Sequence, residues 1–155
     1  MSAVAADGTT VTMREASADD LPSLLKLYAE PGLDDRHVLS LAEARKIFSQ
    51  FANYPSYRVF VACADEHIVA SYAMLIMHNL AHLGAKSAIV EDVVVAAEQL
   101  GLGLATLMMR HAMGHARAEG CYKLALSSNK KRAAAHAFYE SLGFTRHGYS
   151  FVVEF

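Results

Sequence analysis

A chain of 155 residues, 54% apolar and 19% charged, is long enough to form one cored domain and too apolar to stay disordered. Its net charge of −2, with no long basic block, argues against a role driven by neutralising nucleic-acid phosphates. Cys63 and Cys121 form neither a C-x-x-C pair nor a framework of bridges, so they read as free thiols of a reducing cytoplasm.

The opening MSAVAADGTT lacks the basic and apolar regions of a secretory signal, and no apolar run approaches the length of a membrane span. A cytoplasmic location is expected, with no membrane partner. Residues 1–8 read as a flexible N-terminus and residues 9–155 as a single domain. Thr9 to Glu15 alternates as a strand does. Ser17 suits the cap of a helix over Asp19 to Tyr28, whose first-turn acids complement the helix dipole and whose Leu21, Leu24, Leu25 and Tyr28 share a side. Pro31-Gly32 stops it. Ser40 to Phe51 repeats the helical pattern with Leu41, Ala44, Ile47, Phe48 and Phe51, until Asn53-Tyr54-Pro55 breaks it. Tyr57 to Ala64 and His67 to Met77 read as a hairpin about Asp65-Glu66, followed by a loop from Asn79 to Lys86.

Ile89 to Val95 is a β-branched run interrupted only by Glu91 and Asp92, which suits a central strand buried on both faces. Gly101 and Gly103 then bracket the start of a helix carrying Leu104, Leu107, Met108, His111, Ala112 and His115, which Gly120 ends. Tyr122 to Ser127 reads as another buried strand. Residues 132–142 form a helix with Ala135, Phe138, Tyr139 and Leu142 inward, ended by Gly143. Phe144 to His147 and Tyr149 to Phe155 read as closing strands. The order β-α-α-β-β-β-α-β-α-β-β predicts an α/β (α+β) fold: a mixed, mostly antiparallel sheet of six to seven strands with helices on both faces.

A strand that feeds a glycine turn and a helix N-terminus makes an anion site, because the first helical turn has unpaired N–H groups and a favourable dipole. Residues 100–105 are therefore a candidate phosphate seat, against the plainer reading of an ordinary strand–helix turn. Thr106 stands where a dinucleotide fingerprint needs its third glycine, and no Gly-Lys-Ser/Thr of a Walker loop is present.

Quoted as they stand, EDVVV, LGLGLATLMM and AHAFYESLGF resemble the Gcn5-related N-acetyltransferase family, nearly the whole chain in order and residues 91–155 closely. The resemblance implies that fold, with acetyl-CoA as co-substrate along Val93, Val94 and Val95 and then Gln99, Leu100, Gly101, Leu102, Gly103, Leu104 and Ala105, its pyrophosphate on turn N–H groups. Gly101 and Gly103 match the two small positions of the signature Arg/Gln-x-x-Gly-x-Gly/Ala. Glu98 departs from it and Gln99 stands where a glycine often lies, which removes a phosphate-facing donor, adds a like charge and implies weaker cofactor binding. Lys130, Lys131 and Arg132 offer compensating charge or merely a solvated helix start. The resemblance also sets Tyr139 near the CoA sulfur, as the acid that protonates the leaving thiolate; the alternative is a core aromatic. Arg132 occupies the place, seven before this tyrosine, where asparagine is usual, and Asn129 lies three earlier; both are candidate CoA contacts.

Adjacent acids in a strand point to opposite faces, so Glu91 and Asp92 are expected on different sides, one of them toward a cleft. Glu91, directly or through a water, is the candidate base for an incoming ammonium, and Asp92 is a candidate catalytic residue that binds the cation; structural ion pairing is the alternative for each. His78–His82 and His111–His115 have i, i+4 spacing, but no His-Glu-x-x-His pattern and no third ligand accompany them, so no metal is expected. His111 and His115 read as partly buried packing residues, and His136 as a secondary candidate base.

EDVVV with GCYKLAL is similar to glucosamine-6-phosphate N-acetyltransferases, whereas SSNKKRAAAHAFYESLGF is similar to bacterial aminoalkylphosphonate and other small-amine acetyltransferases. Both imply transfer of the acetyl group of acetyl-CoA to the primary amine of a small molecule (an amino sugar phosphate, an aminophosphonate or similar) by direct attack in a ternary complex. The alternatives are a protein or peptide acetyltransferase and a non-catalytic acyl-CoA sensor. Residues 29–40 and 78–86, on the substrate side, hold Asp34, Asp35 and histidines but no diagnostic motif. Family habit implies a homodimer through Tyr149 to Phe155.

Overall fold

The computed structural model describes residues 1–30, 33–34 and 36–155; the stop expected at Pro31-Gly32 and the acid Asp35 lie outside the described residues. Contacts within the chain divide it into two compact units, Met1–Ala125 and Leu126–Phe155, so the domain expected over residues 9–155 spans both.

The first unit is built on a sheet whose six strands neighbour one another in sequence order: β1 (Ser2–Val4), β2 (Thr10–Glu15), β3 (Tyr57–Ala64), β4 (His67–Met77), β5 (Lys86–Val95) and β6 (Cys121–Leu126, its last residue opening the second unit). Pairings from β1 through β5 are antiparallel. The helix α3 (Leu104–Ala118) is the crossover that brings β6 beside β5. Asp65 and Glu66 join β3 to β4 with φ of 45° and 68°, the left-handed pair that a two-residue hairpin turn needs.

Residues 1–8 differ from the expected flexible tail. Ser2, Ala3 and Val4 pair with Thr12, Val11 and Thr10. The cause is local: Asp7 Oδ1 accepts from Thr9 N at 3.0 Å and Gly8 takes φ 90°, a tight Asp-Gly turn that folds the short strand back.

The helices α1 (Leu21–Tyr28) and α2 (Leu41–Gln50) have different starts. Ser40 caps α2 reciprocally: its Oγ accepts from Glu43 N at 3.3 Å while Glu43 Oε2 accepts from Ser40 N at 3.0 Å. A short 3-10 turn, Ala18–Asp20, precedes α1. Asp20 accepts two bonds from the Arg14 guanidinium, at 2.7 and 2.8 Å, and one from Ser17 N at 2.7 Å.

Strand alternation sends neighbouring residues to opposite layers. Val59, Val61 and Ala73 cluster with Leu21, Leu24 and Ala44 under α1 and α2. Phe60 and Tyr72, paired and stacked at 5.3 Å, point the other way, where the Phe60 ring meets His111 and His115 of α3 at 5.1 and 5.2 Å. Tyr72, wholly buried, has its hydroxyl 2.7 Å from His111 Nδ1. Burial lowers the His111 pKa, followed by the charges of the N-terminus and His115, so burial favours the neutral ring beside the Tyr72 hydroxyl. The two histidines thus serve in packing.

The second unit carries α4 (Ala133–Ser141), on which Tyr139 lies 5.2 Å from Phe138 and 5.7 Å, edge-on, from Phe144. The strands expected over Phe144 to His147 and Tyr149 to Phe155 are not formed. β-propensity alone does not make a strand; a pairing partner does, and Tyr149, Phe151 and Phe155 instead stand more than nine-tenths exposed.

Arg14, first among the causes, and then the Ser17 amide hold the Asp20 carboxyl down at about 2, against 3.8 ordinarily. A depressed carboxylate stabilises the fold fully above its unfolded pKa and loses that contribution as pH falls through the folded value. Asp20→Asn should cost about 1–2 kcal/mol at neutral pH, less than for a buried pair because Arg14 is half in solvent. It should also flatten the loss of stability between pH 4 and pH 2. Denaturant unfolding across that range checks both, and an unchanged acid limb would refute the assignment.

Candidate functional site

β5 leads through a 3-10 turn, Ala97–Gln99, into the glycine turn and α3. Gly101 and Gly103 both take φ 82°, and Gly103 is the N-cap of α3. Having no side chain, Gly103 leaves the first-turn N–H groups of Leu104, Ala105 and Thr106 without a side-chain cap. A Cβ at either glycine would meet nothing within 4 Å, so the ground beside the turn is open. The Leu102 carbonyl is turned back into the chain, accepting from Ala6 N at 3.1 Å. Two acids flank the approach: exposed Glu98 within the 3-10 turn, and Glu30, whose Oε2 accepts from Ala97 N at 3.0 Å. The donor set of this corner is therefore main-chain amide, as an anion seat without a cation requires. Gln99, Leu100 and Leu102 lie along its rim, and Leu104 is buried beneath it.

Upstream, β5 contains a bulge. Ser71 pairs with Val94 and Ala73 with Glu91, so Tyr72 alone opposes both Asp92 and Val93, and Asp92 takes φ 52°. The extra residue interrupts the ladder and leaves backbone groups there unpaired. It also corrects the expectation of a strand buried on both faces, since the two acids are exposed. Val59, Ala73 and Glu91 stand in one row across β3, β4 and β5, and residues so opposed share a face. Glu91 is thus on the α1–α2 side with Val59 and Ala73. Val94 is on that side as well, packed with Leu27 and Ala96, which leaves only its backbone for a ligand. Burial, and after it the Asp92 charge, raises the phenols of Tyr28 and Tyr57.

Residues that the sequence left unassigned also bear on these acids. Asp34 N donates to Tyr28 O at 3.1 Å, which fixes Asp34 beside the end of α1. Burial first, and the Asp34 charge second, raises the Asp92 carboxyl above its ordinary range. Burial pushes the Tyr28 phenol up to about 12, with Ser71 pulling it back and Asp92, Tyr57 and Asp34 adding to the rise. Tyr28 read as plain core from helical spacing, and Asp34 sits in a segment without periodicity. Only the bulge and the fold at the end of α1 reveal their company.

The remaining candidates lie in the second unit. Asn129 is committed locally: its Oδ1 accepts from Lys131 N at 2.9 Å and its carbonyl accepts from Arg132 N at 3.0 Å. His136 Nε2 lies 2.8 Å from the same carbonyl and must donate to it, which leaves Nδ1 as its only basic nitrogen. Arg132 is the exposed N-cap of α4. Burial raises the Tyr139 phenol, offset by the Arg132 charge, so it stays protonated at neutral pH. Burial likewise raises the Cys63 and Cys121 thiols, which makes them poor nucleophiles. Among the described residues, no three or more His, Cys, Asp or Glu gather as a metal site. Among the described residues, no helix is long and apolar enough to cross a membrane.

A sequence profile of the acetyltransferase (GNAT) family matches residues 21–144. The chain belongs to this family. It is 28% identical over 163 residues to a protein of Oryza sativa subsp. japonica named "Probable glucosamine 6-phosphate N-acetyltransferase 2", covering 99% of this chain and 93% of that protein. Among solved structures it resembles an acetyltransferase of Agrobacterium tumefaciens str. C58 with TM-score 0.85 and 33% identity, covering 92% of this chain and 99% of that one. It also resembles an acetyltransferase of Trypanosoma brucei with TM-score 0.82 and 27% identity, covering 94% and 99%. For this GNAT chain, acetyl transfer is the class of activity, and the six-stranded mixed sheet with helices on both faces is the fold of its relatives.

Because space beside Gly103 is open, substitution there is governed by φ alone. Gly103→Ala should cost about 1–2 kcal/mol of unfolding free energy. Gly103→Asn should cost less, since asparagine tolerates the left-handed region. Equal losses for the two variants in urea denaturation would contradict a purely conformational role.

Proposed function

We propose that this protein moves the acetyl group of acetyl-CoA to the primary amine of a small molecule by direct attack in a ternary complex. The observation that carries the reading is continuity: one strand presents two acids at a bulge, ends at Val95, and leads through the glycine turn into a helix, starting at Leu104, whose first amides lack a side-chain cap. The backbone of Val93 to Val95 and the amides of Gly101 to Ala105 orient the thioester and its diphosphate. Glu91, directly or through a water, takes the proton from the incoming ammonium, and Asp92 holds that cation in place. As the nitrogen–carbon bond forms and the carbon–sulfur bond breaks, the Tyr139 phenol delivers its proton to the departing thiolate. Positioning supplies much of the acceleration. Raised cysteine thiols favour this direct path over an acyl-enzyme. The reading includes a cytoplasmic homodimer joined through Tyr149 to Phe155, supported by the exposure of that apolar segment.

Calorimetric titration with CoA, followed by thiol release over a panel of amines, tests the proposal. Tyr139→Phe should lower kcat about 10²- to 10⁴-fold with CoA affinity unchanged; full turnover would remove Tyr139 from the reaction. Glu98 favours a second reading, an acyl-CoA sensor, and CoA binding with no turnover on any amine would decide for it. Glu98→Arg should tighten CoA binding by about 0.3–1 kcal/mol, roughly two- to fivefold, and the gain should shrink as salt is raised. A gain indifferent to salt would place the effect elsewhere.

A further inference from the structure

We infer that the acceptor amine carries a compact apolar body, aryl or branched alkyl, and no anionic group; this deepens the acetyl-transfer reading and rests on it. Within the first unit, a cavity of about 110 Å³ opens beneath α1 and α2, walled by Leu24, Leu25, Tyr28, Ile47, Phe48 and Phe51. Asp34 is the only formally charged side chain among its described lining residues. A space of this order takes a phenyl ring: an apolar protein cavity of ~150 Å³ binds benzene.

The position of the cavity relative to the acids defines the ligand. Val59 forms part of the cavity wall and heads the row that runs through Ala73 to Glu91. Two strand spacings separate the ends of that row, about 10 Å. A molecule whose apolar body fills the cavity therefore needs only a short arm to bring an amine to Glu91. Asp34 on the lining and Glu91 at the end of the row are acids, and both favour an ammonium over a phosphate. A guanidinium or ammonium is the side-chain group that pairs most strongly with a sugar phosphate. No Lys, Arg or His belongs to the described lining. The aromatic wall continues outward, with Phe48 and Phe51 at 5.2 Å and Phe51 and Tyr57 edge-to-face at 4.8 Å.

The test is steady-state acetylation with acetyl-CoA of 2-phenylethylamine, 3-methylbutylamine, glucosamine 6-phosphate and 2-aminoethylphosphonate. The apolar amines should show kcat/KM at least about tenfold above the anionic ones. Ile47 is nearly half exposed, so Ile47→Trp can fill the cavity mouth without disturbing the fold. It should raise KM for 2-phenylethylamine severalfold with kcat little changed. Preference for either anionic amine, or indifference of KM to Ile47→Trp, overturns this inference and leaves acetyl transfer intact. Acetylation of no amine, with CoA still bound, overturns acetyl transfer and this inference with it.

Discussion

One extra residue in β5 governs the chemistry-bearing side of the first unit. Without the bulge at Asp92, a two-residue alternation would keep Glu91 and Val93 on one face and send Asp92 and Val94 to the other. With it, Glu91 and Val94 share a face, so an acid and a core valine both serve the α1–α2 side. The strand beyond the bulge then reaches the glycine turn with its remaining valines in register for packing. A left-handed φ at a non-glycine residue costs free energy, and it persists because the ladders on either side of Asp92 hold it.

That arrangement concentrates like charge. After burial, the charges of Asp92 and Asp34 raise the Tyr28 phenol, those of Asp92 and Glu91 the Tyr57 phenol, and that of Asp34 the Asp92 carboxyl. The stability of the fold comes from elsewhere, from the buried clusters and the capped helix starts. Glu91 is exposed and keeps its solvation until something displaces it, whereas Asp92 is already partly desolvated. An arriving cation would relieve repulsion already present in the unliganded chain.

Most of the element order was legible, because helical and strand periodicities in this sequence are strong and Gly101, Gly103, Gly120 and Gly143 mark true turns, each with positive φ. The Asp7-Gly8 turn was legible in principle, but the strand it folds back is three residues long and shows no alternation. The bulge was not legible: register belongs to a pair of strands, and Val93-Val94-Val95 looks alike in either parity. The closing strands were over-read for the opposite reason. Tyr149 to Phe155 has the composition of a strand, and composition does not supply a neighbour. At the site, the glycine turn and the acid pair were found from sequence, whereas the convergence of Tyr28, Tyr57 and Asp34 needed the folded backbone.

The bond from Ala6 to the Leu102 carbonyl has a further effect on the glycine corner. A peptide group carries a lone pair as well as a hydrogen, and a loop this open would ordinarily show both to whatever approaches. By occupying the oxygen of Leu102, the start of the chain leaves that part of the loop with its donors outward. Residues nearly a hundred positions away in sequence thus help set the polarity with which the corner greets a charged guest.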